Sequence, residues 1–75
     1  MTSADTVLWT LTKNGHRMEA VQRVVRDLGL ELRFSIDGEL YHSQIYRNGG
    51  DLLDAAKAKR VDAEAKGWTA PPSAG

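Results

Sequence analysis

The chain contains no cysteine, so neither a disulfide bond nor a thiolate metal site can add to the stability of its core. Its two histidines, His16 and His42, lie far apart and lack the close spacing of paired metal ligands. With 75 residues it is predicted to form one domain that depends on packing alone, near the lower size limit for a stable core. We expect no metal ion and no other cofactor.

Net charge is also missing, because ten basic residues balance ten acidic ones. A dedicated nucleic-acid-binding protein usually has a clear basic excess, so this balance counts against that class. No apolar run is long enough to cross a bilayer, and residues 1–6 are polar without a cationic start. We expect a cytoplasmic protein with no membrane partner and with a flexible N-terminus over residues 1–6.

Two short turn motifs are the most informative feature that the chain does contain. Asn14-Gly15 and Asp37-Gly38 each separate two segments in which apolar and polar residues alternate. Both residues of a two-residue hairpin loop need positive φ, which Asn-Gly and Asp-Gly adopt at the least steric cost. The sequence therefore predicts two β-hairpins, with strands over residues 7–12, 16–25, 30–36 and 39–46.

These turns also predict which residues face each other, because a two-residue loop sets the register of its hairpin. The predicted pairs are Lys13:His16, Leu11:Met18, Trp9:Ala20 and Val7:Gln22 in the first hairpin, and Phe34:Tyr41, Leu32:Ser43 and Leu30:Ile45 in the second.

The connection between the hairpins is constrained by the alternation of faces along each strand. Pairing Val24 with Leu30 keeps the apolar residues on one face and sets Arg23 opposite Glu31 on the other, which is a favourable cross-strand pair. This register needs a loop over residues 25–29 and joins the hairpins into a four-stranded antiparallel meander. The predicted apolar face comprises Val7, Trp9, Leu11, Met18, Ala20, Val24, Leu30, Leu32, Phe34, Ile36, Tyr41 and Ile45.

An open sheet with one apolar face needs a cover, and the C-terminal part of the chain is predicted to supply it as a helix. Residues 47–50 break the last strand, Asp51 is a favourable N-cap, residues 52–66 are good helix formers, and Gly67 ends the helix. The residues expected to pack on the sheet are Leu52, Leu53, Ala56 and Ala63.

The predicted fold is therefore α+β, with a four-stranded antiparallel β-meander and one C-terminal α-helix packed on one face (ββββα). The single domain spans residues 7–68. Trp9 is expected to anchor the core, and Trp68 to fold back onto the helix. Residues 69–75 are predicted to be a disordered tail, because they are small, polar or proline.

Catalysis has little support in the sequence. The predicted register places Ser35 and His42 on one face of neighbouring strands, as a nucleophile and its base would be. No carboxylate is placed to orient the imidazole, and no oxyanion donors are evident. We therefore predict that the protein is not an enzyme.

The polar face of the predicted sheet is the candidate functional surface. It mixes arginine and tyrosine, which often dominate binding energy, with other polar and apolar side chains. We predict that it binds a protein partner or a second copy of the chain, either through this face or through an edge strand. The candidate partner-binding residues are Arg17, Arg23, Arg33, His42, Gln44 and Tyr46.

A nucleic-acid-binding module that uses the same three arginines is the alternative. The predicted topology resembles that of the plant AP2-type and integrase arm-binding domains, which lay a three-stranded sheet into the DNA major groove. None of their sequence motifs occurs here, so the resemblance is one of topology, and it implies little about function.

Overall fold

The fold is the predicted ββββα arrangement. The computed structural model describes residues 5–71; residues 1–4 and 72–75, which belong to the predicted flexible N-terminus and tail, lie outside the described part. Four antiparallel strands form one sheet in the order β1-β2-β3-β4, and one helix follows. The elements are β1 (Asp5–Lys13), β2 (His16–Val25), β3 (Gly29–Ile36), β4 (Glu39–Tyr46) and α1 (Gly49–Ala65).

Both two-residue turns have the predicted backbone. Asn14 and Gly15 have φ of 51° and 82°, and Asp37 and Gly38 have φ of 53° and 84°. Positive φ at both positions matches the right-handed twist of the flanking strands, and these turns therefore close the β1–β2 and β3–β4 hairpins.

The β2–β3 connection has the predicted register but a shorter loop. Val24 faces Leu30 and Arg23 faces Glu31, as predicted, while Val25 also pairs with Gly29. Only residues 26–28 therefore remain outside the strands, and the Leu28 N–H donates to the Val25 carbonyl at 3.1 Å.

A β-bulge in β1 makes the predicted Val7:Gln22 pair wrong. Trp9 faces Ala20 as predicted, but Val7 faces Val21, so Leu8 is an extra residue on β1. A bulge puts two residues opposite one and shifts every position beyond it to the other face. Val7 therefore lies on the uncovered face of the sheet and is 54% exposed, whereas Leu8 packs against the core.

A second bulge, in β4, overturns the predicted β3–β4 register. Ser35 faces Leu40, but Phe34 faces His42, so Tyr41 is the extra residue. The predicted pairs Phe34:Tyr41, Leu32:Ser43 and Leu30:Ile45 are therefore wrong. Leu32 faces Gln44 and Leu30 faces Tyr46, which puts His42, Gln44 and Tyr46 on the helix side and Ile45 on the uncovered face.

The core lies between the sheet and α1 and contains the predicted residues around Trp9. The Trp9 indole is buried, and its Nε1–H donates to the Ala56 carbonyl of α1 at 3.0 Å. Small alanines let α1 approach the sheet closely. Leu53, predicted to pack there, is instead 51% exposed. The buried residues are Trp9, Leu11, Met18, Ala20, Leu32, Phe34, Leu52, Ala56 and Ala63.

The helix begins earlier than predicted because Asn48, and not Asp51, is its N-cap. The Asn48 Oδ1 accepts the Asp51 N–H at 2.8 Å, and the Asn48 Nδ2 donates to the Asp51 carboxylate at 3.1 Å. These reciprocal contacts resemble a capping box, with Asp51 in the first turn, where a negative charge is favourable.

The C-terminal end of α1 returns the chain to the sheet. The Trp68 N–H donates to the Ala63 carbonyl and the Gly67 N–H to the Glu64 carbonyl, which is the Schellman pattern. Trp68 is half-buried against the core. Thr69, at the start of the predicted disordered tail, pairs with Thr12 through two backbone hydrogen bonds of 2.7 and 2.9 Å.

Truncation of Trp9 tests this core. We expect Trp9→Ala to lower the free energy of unfolding by about 3–5 kcal/mol, because it empties a large buried site. The control, Val61→Ala on the exposed side of α1, is expected to change it by no more than about 0.5 kcal/mol. Urea denaturation followed by circular dichroism measures both. Equal stability of the two variants would contradict the assigned core.

Two glycines with positive φ differ in their surroundings and give a second test. A Cβ on Gly38 (φ 84°) would meet no atom within 4 Å, whereas one on Gly29 (φ 125°) would overlap the Tyr46 carbonyl oxygen. We expect Gly38→Ala to cost about 1–2 kcal/mol from backbone strain. Gly29→Ala should cost clearly more, because β4 must also move away from β3. Equal losses in urea denaturation would contradict the β3–β4 contact.

Candidate functional site

The six predicted partner-binding residues do not form one surface. Residues directly opposite each other on neighbouring strands share a face of the sheet. Arg17, Arg23 and Arg33 lie on the face that α1 leaves uncovered, which we call the open face. The β4 bulge places the other three, His42, Gln44 and Tyr46, on the helix side.

Each of the three arginines on the open face is paired with an acidic neighbour. Arg23 Nε lies 3.1 Å from the Asp5 carboxylate, which is the main reason that the pKa of Arg23 is raised. Arg17 lies 3.4 Å from Glu19. Arg33 lies 3.3 Å from Glu31. Each of these positive charges therefore has a negative charge beside it, while 63% of the Arg17 side chain stays exposed to solvent.

Leu40 and Ile45 of β4 also lie on the open face, where they are 47% and 41% exposed. Together with Val7 they give this face an apolar component next to its ion pairs. Ile45 had been predicted to face the core, and the β4 bulge is the reason that it does not.

The two hairpin turns are joined by the Asp37 side chain. Its carboxylate accepts the Arg17 backbone N–H at 2.9 Å and lies 2.7 Å from His16 Nδ1. The contact with His16, followed by that with the Arg17 N–H, holds the pKa of Asp37 below its ordinary value. This arrangement stabilises one end of the sheet and leaves the carboxylate occupied.

The candidate catalytic pair is separated by the sheet itself. Ser35 faces Leu40 on the open face, whereas His42 lies on the helix side against Phe34, with ring centroids 6.1 Å apart. Their predicted location on one face is therefore wrong. Within residues 5–71, no group of three His, Cys, Asp or Glu side chains is placed to hold a metal ion.

The two edges of the sheet differ in how well they are protected. The outer edge of β1 is interrupted by the bulge at Leu8 and by the pairing of Thr69 with Thr12. Pro71 lies two residues after Thr69, and Lys13 Nζ donates to the Lys66 carbonyl at 2.6 Å at the same end. Strand addition at β1 is therefore obstructed.

The outer edge of β4, which faces away from β3, is uncovered, and the bulge at Tyr41 interrupts it only near its start. Every residue from Glu39 to Ile45 is exposed, and β4 has a neighbouring strand on one side only. An edge strand turns unpaired N–H and carbonyl groups outward, and these can pair with an extended segment of another chain. The regular part of the strand, residues 42–46, follows the bulge at Tyr41.

A groove runs beside this edge, between β4 and α1, with a volume of about 520 Å³. Aromatic rings form its floor, two alanines of α1 form its wall, and a lysine and an aspartate lie at its rim. Lys59 Nζ lies 5.5 Å from the centroid of the Tyr41 ring. The lining residues are Phe34, Tyr41, His42, Tyr46, Ala55, Ala58, Lys59 and Asp62.

Sequence reasoning missed this groove, although one signal for it is present. The residues of β4 do not alternate, because Leu40-Tyr41 and Ile45-Tyr46 are both adjacent apolar pairs, and a bulge is one way in which such a break in alternation is accommodated. A bulge there moves His42 and Tyr46 to the helix side of the sheet, where both help to line the groove.

Comparisons of this chain with known proteins give no match. No protein family, no curated protein and no solved structure matches it. Within residues 5–71, no helix has both the length and the apolar character that a membrane crossing needs.

The Asp37 network predicts a pH-dependent stability. Because folding lowers the pKa of Asp37, its ionised carboxylate stabilises the fold at pH values above the unfolded pKa of about 3.9. This stabilisation is lost as the pH falls through the pKa of Asp37 in the folded protein. We expect Asp37→Asn to lower the melting temperature at neutral pH, with the difference from wild type shrinking in acid. Asparagine suits the turn, since Asn14 occupies the same position in the other hairpin.

The matched control is Asp27→Asn, because Asp27 also has positive φ but lies in a turn without this network. Its melting temperature is expected to follow that of the wild type at every pH. A pH-independent loss in Asp37→Asn would show that the carboxylate charge does not stabilise the fold.

Proposed function

We propose that this protein is a small non-enzymatic interaction module that binds a protein strand along the outer edge of β4. The observation that carries the proposal is the contrast between the edges, since β1 is obstructed and β4 is exposed from Glu39 to Ile45. Main-chain hydrogen bonds to an edge strand supply affinity in this mode of recognition, which is known as β-augmentation.

The β4–α1 groove supports the same proposal because it lies where side chains of an added strand would project. Alternate side chains of an extended segment point to one face of the sheet. Those on the helix side would meet the rings of Tyr41 and Tyr46 and the small side chains of Ala55 and Ala58. Such a lining favours apolar or aromatic side chains, and pockets of this kind give β-augmentation its specificity.

Leu40 and Ile45 support an interaction on the other face of the same strand. Their exposed side chains border the β4 edge from the open face, so an added strand would shield apolar surface on both of its sides. The binding surface therefore comprises the β4 edge itself, the groove above it and two apolar residues below it.

The alternative, a nucleic-acid-binding module, has weaker support. The arginines that it requires are paired with Asp5, Glu19 and Glu31, and the chain has no net positive charge. Binding of phosphate would have to break these pairs and release few counterions in return. A protein strand is therefore the occupant that we favour.

A lysine placed on the edge tests the proposal. The probe is a phage-displayed library of random linear peptides, selected on immobilised wild-type protein. We expect the selected peptides to bind Ser43→Lys at least about tenfold more weakly, because a charged side chain on an edge strand opposes strand pairing.

Thr6→Lys is the matched control, since Thr6 is an exposed residue of β1, the opposite edge strand. Its affinity for the peptides should equal that of the wild type. Peptides that bind both variants equally, or a library that yields no binder, would contradict the proposal. Binding of a DNA or RNA oligonucleotide that weakens steeply with salt and is lost in Arg33→Glu would support the alternative instead.

A further inference from the structure

The exposed edge of β4 lacks two of the usual protections against self-pairing, a charged side chain and a proline, and only the bulge at Tyr41 interrupts it. Residues 40–46 contain neither a charged residue nor a proline. Natural edge strands commonly carry lysine, proline or inward-pointing charges, because a bare edge is a template for another copy. The protein also has no net charge, so two copies do not repel each other at long range.

The charges at the two ends of β4 have opposite signs. Glu39 begins the strand and Arg47 follows its last residue, and both are exposed. Neither belongs to an ion pair within residues 5–71, unlike the arginines of the open face. When two copies of β4 lie antiparallel, Glu39 of each lies opposite Tyr46 of the other, one position from Arg47, so unlike charges lie at each end of the paired strands. A parallel arrangement would bring like charges together.

The apolar residues on the open face indicate how two antiparallel copies of β4 would be aligned. Because Tyr41 is the extra residue of the bulge, Leu40 and Ile45 are each two pleat positions from Ser43, on opposite sides of it. A two-fold axis at Ser43 therefore sets Leu40 of one copy opposite Ile45 of the other, and does so twice. Both side chains are exposed in the single chain, and such cross-strand apolar pairs stabilise a sheet.

We propose that the occupant of the β4 edge is a second copy of this chain, paired antiparallel about Ser43. The inference rests on the proposed function of the β4 edge and names its partner. The axis is perpendicular to the sheet, so the two sheets become one and both copies of α1 lie on the same side. His42 of one copy then faces Gln44 of the other, and both are helix-side residues, so the faces of the two sheets match.

Charge reversal at the two ends of β4 tests this arrangement by sedimentation equilibrium. We expect Glu39→Arg and Arg47→Glu, each alone, to raise the dimer dissociation constant at least about tenfold, because each creates two like-charge contacts. An equimolar mixture of the two variants should associate as tightly as the wild type, since every contact between unlike copies again joins opposite charges. Lys57→Glu, an equivalent reversal on α1 away from β4, should associate like the wild type.

Three results would overturn the inference: a wild-type protein that stays monomeric up to about millimolar concentration, single variants that associate normally, or a mixture that fails to recover. The protein could also stay monomeric while Ser43→Lys abolishes peptide binding. That result would exclude the second copy as the partner and would leave the proposed function standing. Self-association that ignores Ser43→Lys would contradict both. Circular dichroism of each variant confirms that the fold is intact.

Discussion

A single helix has to cover a sheet that is wider than itself, and the rest of the structure follows from this mismatch. Strands lie about 4.8 Å apart, so the outer strands of a four-stranded sheet are about 14 Å apart, whereas a helix with side chains is about 10–12 Å across. The Trp9–Ala56 hydrogen bond joins α1 to β1, and Leu52, Ala56 and Ala63 bury one side of the helix against the sheet. A groove therefore remains on each side of α1: the β4–α1 groove, and a second one beside β1 that Leu8, Trp9 and Leu53 help to line.

Turn chemistry and alternation were sufficient to predict the elements, the strand order and most of the core. Asn14-Gly15 and Asp37-Gly38 adopt the positive φ values that suit a two-residue hairpin. The alternation of apolar and polar residues alone was enough to predict the register of β2 against β3. Neither rule predicts an inserted residue, so Leu8 and Tyr41 were missed. Each such residue reverses the faces beyond it, which is why half of the predicted site residues lie on the wrong side.

The predictions of the helix start and of the C-terminal tail failed for a related reason. Both features depend on contacts between particular side chains or between distant parts of the chain. Asn48 and Asp51 are both good cap residues, and only their mutual hydrogen bonds decide that Asn48 is the cap. The pairing of Thr69 with Thr12 depends on where the Schellman turn directs the chain. Local composition does not contain that information, whereas the buried stripe of Leu52, Ala56 and Ala63 follows from helical spacing.

Protection of one edge and exposure of the other is the feature on which the proposed function rests. The most direct measurement is amide hydrogen exchange, followed by mass spectrometry or NMR, in dilute and concentrated protein. Our account predicts that protection of β4 amides rises with concentration, while the amides of β1 and the exposed side of α1 do not change. Unchanged β4 exchange, or added protection at β1 instead, would contradict the account.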